Sequence, residues 1–301
     1  MNILITGGAG FIGSNLADFL NEQGHNVLIV DNLSTGKEKH LYNHKSCILD
    51  ISNDNNLLKL SSLITSHEIE LVYHLAALPS VEQSLKQTNL THRHTLTSTV
   101  LLLEACKNTK VKKIIFSSTS AIYGNCEIIP TNENCKTDPL TPYALQKLLS
   151  EQYIKMYTDL YDIKAICLRY FNVFGERMTN TGAYKSVLSI FKEQKEKGLP
   201  LTITNDGEQR RDFIYVGDVV DANILVGMNN IKNRFDVYNV GYGKNFSVNQ
   251  IANAFNSKTT FIGNRIENRI SLCDNSKIKQ DFSWQPTKNV IDWIEDYVKI
   301  E

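Results

Sequence analysis

The chain opens MNILITGGAGFIG, a short β-branched run that breaks into glycines at positions 7, 10 and 13. Few openings restrict a fold more. Without a Cβ, glycines at this spacing let a strand turn tightly, let the backbone approach a phosphate closely, and seat the following helix against the sheet. The helix expected from near Phe11 would aim its first amides and the positive end of its dipole at the same place, which suits a pyrophosphate. Asp31 closes the next strand, HNVLIVD, about 18 residues after Gly13. That is the expected place for a carboxylate bonding a ribose hydroxyl pair. The spacing therefore predicts an NAD site. Asp31 would repel a 2'-phosphate, although Lys37 and Lys39 nearby leave NADP open. Asp50 and Ile51, after the third strand, are candidates to flank the adenine; a helix-entry cap is the other reading of Asp50.

Short β-branched runs keep alternating with longer amphipathic ones: NILIT, then 12–22; HNVLIV, then 55–66; ELVYHLAA, then 81–107; VKKIIFSS, then 142–160; and IKAICLRYF. This rhythm predicts an α/β fold of the Rossmann type, a doubly wound parallel sheet covered on both faces. We place it in residues 1–171. A smaller α/β lobe is expected over 172–301, with some of its segments returning to the sheet. No Pro/Gly/Ser linker separates the two parts, so they should pack together around a cleft.

Composition narrows the class. With 301 residues, 42% of them apolar, the chain has ample material for a buried core. Lys plus Arg equals Asp plus Glu at 32 each, so no overall field favours nucleic acid or an anionic membrane. No segment nears the roughly 20 apolar residues of a membrane span. The six cysteines, Cys47, Cys106, Cys126, Cys135, Cys167 and Cys273, form no CxxC pair and sit mostly in apolar stretches. A cytoplasmic protein without disulfides is expected. His92 and His94 raise a metal site, but HxH on a helix points the rings apart, and a solvated face is the expectation.

The chemistry centres on LTPYALQK. Thr141 and Pro142 read as the N-cap and first residue of a helix, placing Tyr143 in its first turn and Lys147 one turn on along the same face. A free phenol ionises near pH 10; the ammonium, the positive helix end and a cationic nicotinamide ring all favour phenolate. Lowering its pKa by about three units requires roughly 4 kcal/mol of preferential stabilisation, within reach of these charges in a dry cleft. Tyr143 could then take a proton from a sugar hydroxyl while hydride leaves the same carbon. A surface i,i+4 pair is the plain alternative; about one such pair is expected by chance, so its position behind the dinucleotide turn carries the weight. At the end of KKIIFSS, one of Ser118, Thr119 or Ser120 should orient the reacting oxygen against Tyr143.

In chain order, TGGAGFIG, DNLSTGK, HLAALPSV, SSTSAIYG, TPYALQK, LRYFNVFG and RRDFIYVGDV resemble the extended short-chain dehydrogenase/reductase (NAD-dependent epimerase/dehydratase) family, and within it the UDP-glucose and UDP-N-acetylglucosamine 4-epimerases. The resemblance implies that Tyr143 is the base, Lys147 the charge partner that also holds the nicotinamide ribose, and Thr119 the hydroxyl on the sugar O4. It implies NAD contacts from Gly7, Gly10, Phe11, Ile12, Gly13, Asp31, Asn32, Asp50, Ile51, Leu75, Ala76, Ala77, Ser117 and Phe171. For the UDP-sugar it implies Ser80, Ser120, Asn172, Ala183, Tyr184, Arg211, Ser271 and a second arginine, Arg265 or Arg269. Ser271 is small, which leaves room for an N-acetyl group. Related dehydratases and decarboxylases carry a carboxylate just after the threonine, where this chain has Ser120 and Ala121. Thr95 stands where the family has an asparagine, and the stretch around Arg265 and the C-terminus are short.

Two other functions remain open at this level: a net NAD-dependent nucleotide-sugar dehydrogenase or reductase, and a non-catalytic NAD-binding sensor. Apolar residues on 81–107 and 142–160 extend beyond one core-facing stripe, which suits a two-fold helical interface, as in the family's homodimers, or deeper packing within one subunit.

Overall fold

The computed structural model describes residues 1–178, 186–263 and 269–300, with only the backbone of residue 300. Its first part runs β1 (Asn2–Thr6), α1 (Phe11–Glu22), β2 (Asn26–Asp31), β3 (Lys45–Ile48), α2 (Leu57–Ser66), β4 (Leu71–His74), α3 (Val81–Lys86), α4 (Thr88–His92), α5 (Ser98–Cys106), β5 (Lys113–Thr119), α6 (Pro142–Leu160) and β6 (Lys164–Tyr170). There follow β7 (Asn172–Phe174), α7 (Val187–Glu196), β8 (Leu201–Thr204), β9 (Arg210–Tyr215), α8 (Val216–Met228), β10 (Phe235–Val240), β11 (Asn245–Ser247), α9 (Val248–Ala254), β12 (Thr259–Ile262), α10 (Ser276–Phe282) and α11 (Val290–Ile300).

Seven strands form one parallel sheet in the order β3-β2-β1-β4-β5-β6-β10. This is the expected doubly wound α/β architecture. The strand order reverses between β1 and β4, and ligands of such sheets bind at that switch point, beyond the carboxyl ends of the strands. Side-chain alternation builds a core on each face. In β1, Ile3 and Ile5 pack with Leu16, Leu20 and Val219 from α1 and α8, while Leu4 faces Leu60, Ile64 and Leu103 from α2 and α5. Each such side chain contributes roughly 1.5–3 kcal/mol by leaving water.

Segments beyond residue 171 complete this sheet. β10 pairs with β6 from Phe235↔Ala165 to Val240↔Tyr170, and α8 packs on the face that α1 covers. Lys113, at the start of β5, caps the end of α8 by donating from Nζ to the carbonyls of Gly227 and Asn229 at 2.7 and 2.6 Å. The smaller lobe holds a three-stranded sheet, β11-β9-β7, a β8–β12 pair, and a core around Phe174, Phe191, Phe213 and Phe255.

One expected helix is not continuous. Residues 81–107 divide into α3, α4 and α5, with a break at Gln87 (φ −138°, ψ 57°) and a π-helical turn over Arg93–Thr97. The wider turn shifts which side chains face inward. Thr95 and Leu96 are buried, while His94 and Ser98 reach the cavity described next.

Candidate active site

A cavity of about 1130 Å³ opens across the carboxyl ends of β1, β2, β4, β5 and β6 and continues to the second lobe. At one end lies the glycine turn. Gly7 has φ +74°, and a Cβ there would sit 2.6 Å from the Ala76 backbone nitrogen; a Cβ on Gly13 would sit 2.3 Å from the Gly7 carbonyl oxygen. Backbone therefore packs on backbone, and a side chain at either position would fill the cradle. Gly10 caps α1 without a side-chain hydrogen bond, so the first-turn amides are available to an anionic ligand. Asp31 is buried, its carboxylate accepting from the Ala9 and Leu33 N–H groups at 3.0 and 2.8 Å. Burial raises its pKa against the pull of these bonds. The carboxylate thus braces the glycine turn as well as facing the cavity. These features fit the dinucleotide diphosphate and ribose of NAD. Lys37 is on the wall and Lys39 is not. Asp50 accepts from the Ser52 N–H and hydroxyl at 2.9 and 2.7 Å, and its Oδ1 lies 3.9 Å from His94 Nδ1. Burial works to raise its pKa, but these partners hold it below the usual value.

At the middle, Thr141 caps α6 by accepting from the Ala144 N–H at 3.3 Å, with Pro142 first in the helix, as the sequence predicts. This fixes Tyr143 in the first turn and Lys147 one turn on; both are buried and both line the cavity. Lys147 Nζ donates to the Ser117 carbonyl at 2.6 Å and lies 4.6 Å from the centre of the Phe116 ring. Burial pushes the ammonium down to about 7, with Cys167 and Glu151 pulling the other way. The three candidate residues all line the cavity but differ in their hydrogen bonds. Ser118 Oγ is buried and donates to Glu151 Oε1 at 2.5 Å. Thr119 accepts from the Ala121 N–H at 3.2 Å, and with Ser120 it stands on the wall.

The third part draws on both lobes. Ser80, buried, caps α3 through the Gln83 N–H at 3.0 Å. Asn172 donates from its amide to the Asp212 carbonyl at 2.7 Å, and Arg211 lies next along β9. A bridge from Arg210 to Ile270 delivers Ser271 to the wall. Ala183, Tyr184 and Arg265 lie outside the described residues. Arg269 is off the wall: its exposed guanidinium forms a two-pronged pair with Asp206 at 2.8 and 2.9 Å. The other described candidates, Phe11, Ile12, Asn32, Ile51, Leu75, Ala76, Ala77, Ser117 and Phe171, all line the same cavity.

Four further residues have places in or beneath this cavity that the sequence did not assign. His94 reaches the wall because of the π-helical turn, and its Nδ1 lies 3.3 Å from Ser52 Oγ, so it is not on a solvated face. Arg177 lines the cavity and pairs with Asp18 on α1. Asp212, fully buried, accepts from the Tyr242, Gly243 and Cys273 N–H groups at 2.8, 2.9 and 3.0 Å. Glu151 lies beneath Ser118. Among the described wall residues the carboxylates are Asp31 and Asp50 alone, both at the dinucleotide end.

A family model described as "NAD dependent epimerase/dehydratase family" matches residues 3–241. A putative UDP-glucose 4-epimerase of Methanocaldococcus jannaschii is 36% identical, the match covering 98% of each chain. The crystal structure of a UDP-glucose 4-epimerase of Thermotoga maritima with UDP-glucose superposes with a TM-score of 0.93 at 35% identity, over 99% of this chain and 98% of that one. A UDP-N-acetylglucosamine 4-epimerase of Methanobrevibacter ruminantium, in complex with UDP-N-acetylmuramic acid, gives a TM-score of 0.90 at 33% identity, over 99% and 97%.

Proposed function

The chain belongs to the NAD-dependent epimerase/dehydratase family, and on that footing we propose that it is an isomerase, an NAD-dependent 4-epimerase of UDP-sugars. One observation carries the reading: a single cavity joins the glycine and Asp31 cradle to Tyr143, Lys147 and Thr119 and, among the described residues, presents no carboxylate at the sugar end. Elimination and decarboxylation need such a group; inversion at C4 does not. Bound NAD would supply a hydride acceptor that becomes the donor in the return step.

Every other step belongs to the chain's own side chains. Thr119 orients the C4 hydroxyl, and Tyr143 takes its proton as the C–H bond breaks. Lys147, dry and one turn away, favours the phenolate by its charge and holds the nicotinamide ribose. The 4-keto sugar then turns over in the cavity and Tyr143 returns the proton, giving inverted C4 without net change of cofactor. Arg211, with Ser80 and Asn172 nearby, holds the UDP-sugar, because a guanidinium can bond two phosphate oxygens at once. Ser271 leaves space beside the sugar, so UDP-glucose and UDP-N-acetylglucosamine are both substrates in this reading.

On α6, Leu145, Leu149, Tyr153, Met156 and Leu160 are exposed at helical spacing. This stripe supports a homodimer formed by pairing α6 with its counterpart in a second copy. All six cysteines are unpaired, which supports a reducing, cytoplasmic setting.

The test is to incubate the protein with each UDP-sugar and follow the ring protons by NMR. Interconversion of gluco and galacto forms without net NADH is the expected result. Stoichiometric NADH would indicate a dehydrogenase, and retained NAD without turnover a sensor. Tyr143→Phe should keep NAD and lose about 10²–10⁴-fold in rate; a variant near wild-type rate would remove Tyr143 as the base.

A further inference from the structure

We propose that Glu151, with Arg169 as its counter-ion, is the positioning residue that locks the helix carrying Tyr143 and Lys147 to the strand end carrying Thr119, and that it sets a carboxylate one turn from Lys147. The inference rests on the epimerase reading for its catalytic meaning and on geometry for the lock itself. Glu151 lies one turn beyond Lys147 on α6 and is 3% exposed. Its Oε1 accepts from Ser118 Oγ at 2.5 Å and from Arg169 Nε at 3.0 Å, and its Oε2 accepts from Arg169 Nη2 at 2.7 Å. Ser118 stands between Ser117, whose carbonyl receives Lys147, and Thr119. One side chain therefore fixes the register of three consecutive residues against the helix that faces them.

Arg169 lies opposite Ser118 on β6 and is held in turn. Its Nη1 donates to the Tyr123 hydroxyl at 2.9 Å, its guanidinium carbon lies 5.0 Å from the centre of that ring, and Tyr123 donates to Asn239 on β10 at 2.7 Å. The network links α6, β5, β6 and β10 under the reacting groups. A buried ion pair adds little net stability, because desolvation offsets most of the attraction, so its value here is geometric and electrostatic.

The titratable groups around Lys147 are Tyr143 and Glu151 on its own helix, His74 on β4 and Cys167 on β6. Around Glu151 they are Arg169, Cys167 and Lys147, with Tyr123 and Glu133 behind Arg169. His74 is bonded to Thr6 and Thr99 and pushed by burial down to about 3, so it is neutral; Cys167 is pushed well up and stays a thiol. Glu151, ion-paired to Arg169, is the carboxylate among these neighbours of Lys147.

The experiment uses NAD-loaded holoenzyme of Ser118→Ala, Glu151→Gln and Glu151→Asp. Rates are normalised to bound NAD, and amide exchange over 113–123 is followed by mass spectrometry. Ser118→Ala should lose about tenfold or more in kcat with KM within roughly threefold, and should exchange faster at 117–119. In Glu151→Gln, Lys147 loses its neighbouring negative charge, so the alkaline limb of the rate profile should move to lower pH by roughly one unit. Glu151→Asp keeps the charge but falls a methylene short of Ser118, so the limb should return toward wild type while kcat stays low. If Glu151→Gln does not fold, the Ser118 and Asp variants decide. Ser118→Ala within twofold of wild-type kcat and with unchanged exchange overturns the proposal, as does a folded Glu151→Gln whose alkaline limb has not moved. Wild-type holoenzyme that turns over neither UDP-sugar refutes the epimerase reading instead, and the exchange data then judge the lock alone.

Discussion

Asp212→Asn offers a test in which the sign of the effect decides the physics. Asp212 sits in β9 beside Arg211, and its carboxylate receives three backbone N–H groups, from Tyr242 and Gly243 after β10 and from Cys273 beyond Ser271. Three such donors favour the anion, whereas complete burial disfavours it. Burial wins, raising the pKa from an ordinary 3.8 to about 6. In free energy that rise is worth about 3 kcal/mol. Because the folded pKa lies above the unfolded one, the folded state holds more protons between roughly pH 4 and 6. The stability Asp212 contributes through this proton is therefore fully present below pH 4 and is lost as pH rises through about 6. Asparagine occupies the same space but does not titrate, and its single oxygen leaves at least one of the three N–H groups unmatched, costing about 1–3 kcal/mol.

Urea unfolding of wild type and Asp212→Asn from pH 4 to 7 should show their difference in stability growing as pH falls. The growth should reach about 3 kcal/mol, nearly all of it between pH 6 and 4. Taking the difference cancels the other titrating groups. A flat difference would mean that Asp212 keeps an ordinary pKa. A difference that shrinks toward acid would mean that the three N–H donors outweigh burial, and the reasoning would be wrong.

Asp31→Asn keeps an acceptor for Ala9 or Leu33 but removes the charge. NAD affinity should fall about tenfold and the NADP to NAD affinity ratio should rise, both measurable by calorimetry on the NAD-free protein; unchanged preference would exclude Asp31 as the selector. Gly13→Ala places a Cβ 2.3 Å from the Gly7 carbonyl oxygen, with only backbone to yield, so NAD binding should be lost and the melting temperature should drop. Retained NAD binding would show that the turn is not the cradle. Leu149→Glu with Tyr153→Glu, on the exposed stripe of α6, should convert a dimer to a monomer in sedimentation velocity; identical sedimentation would place the interface elsewhere.

What could be read from the sequence was what depends on short spacing. Gly7, Gly10 and Gly13, then Asp31, and Thr141 through Lys147 each lie on one element or its edge, so local order fixes their geometry. Glu151 and Asp212 escaped because their partners are remote: Ser118 is 33 residues away and Cys273 is 61. Asp212 lies within RRDFIYVGDV, but nothing in that stretch shows the remote N–H groups it receives, and a carboxylate on a helix, such as Glu151, reads as solvated until a buried arginine is placed beside it. His94 was misplaced for another reason. Helical periodicity assumes 3.6 residues per turn, and the π-helical turn over Arg93–Thr97 breaks that count without a glycine or proline to announce it. Arg269 shows the converse, since arginine in a promising stretch found a partner, Asp206, on the surface.

The direct passage from β9 into α8 bears on how a reaction of this kind could invert a carbon. Arg211 stands near the start of that strand, and the helix that follows without an intervening loop is packed on the main sheet beside α1, whose first turn borders the glycine cradle. The pivot that would grip the sugar diphosphate and the cradle that would hold the dinucleotide are therefore parts of one frame. A hinge between them is not needed, and would be harmful, because the ketone must meet the same hydride twice. In the proposed reaction, motion is left to the substrate: the sugar swings on its phosphate tether like a pendulum below a fixed mount, and the two faces of C4 are sampled by torsion alone.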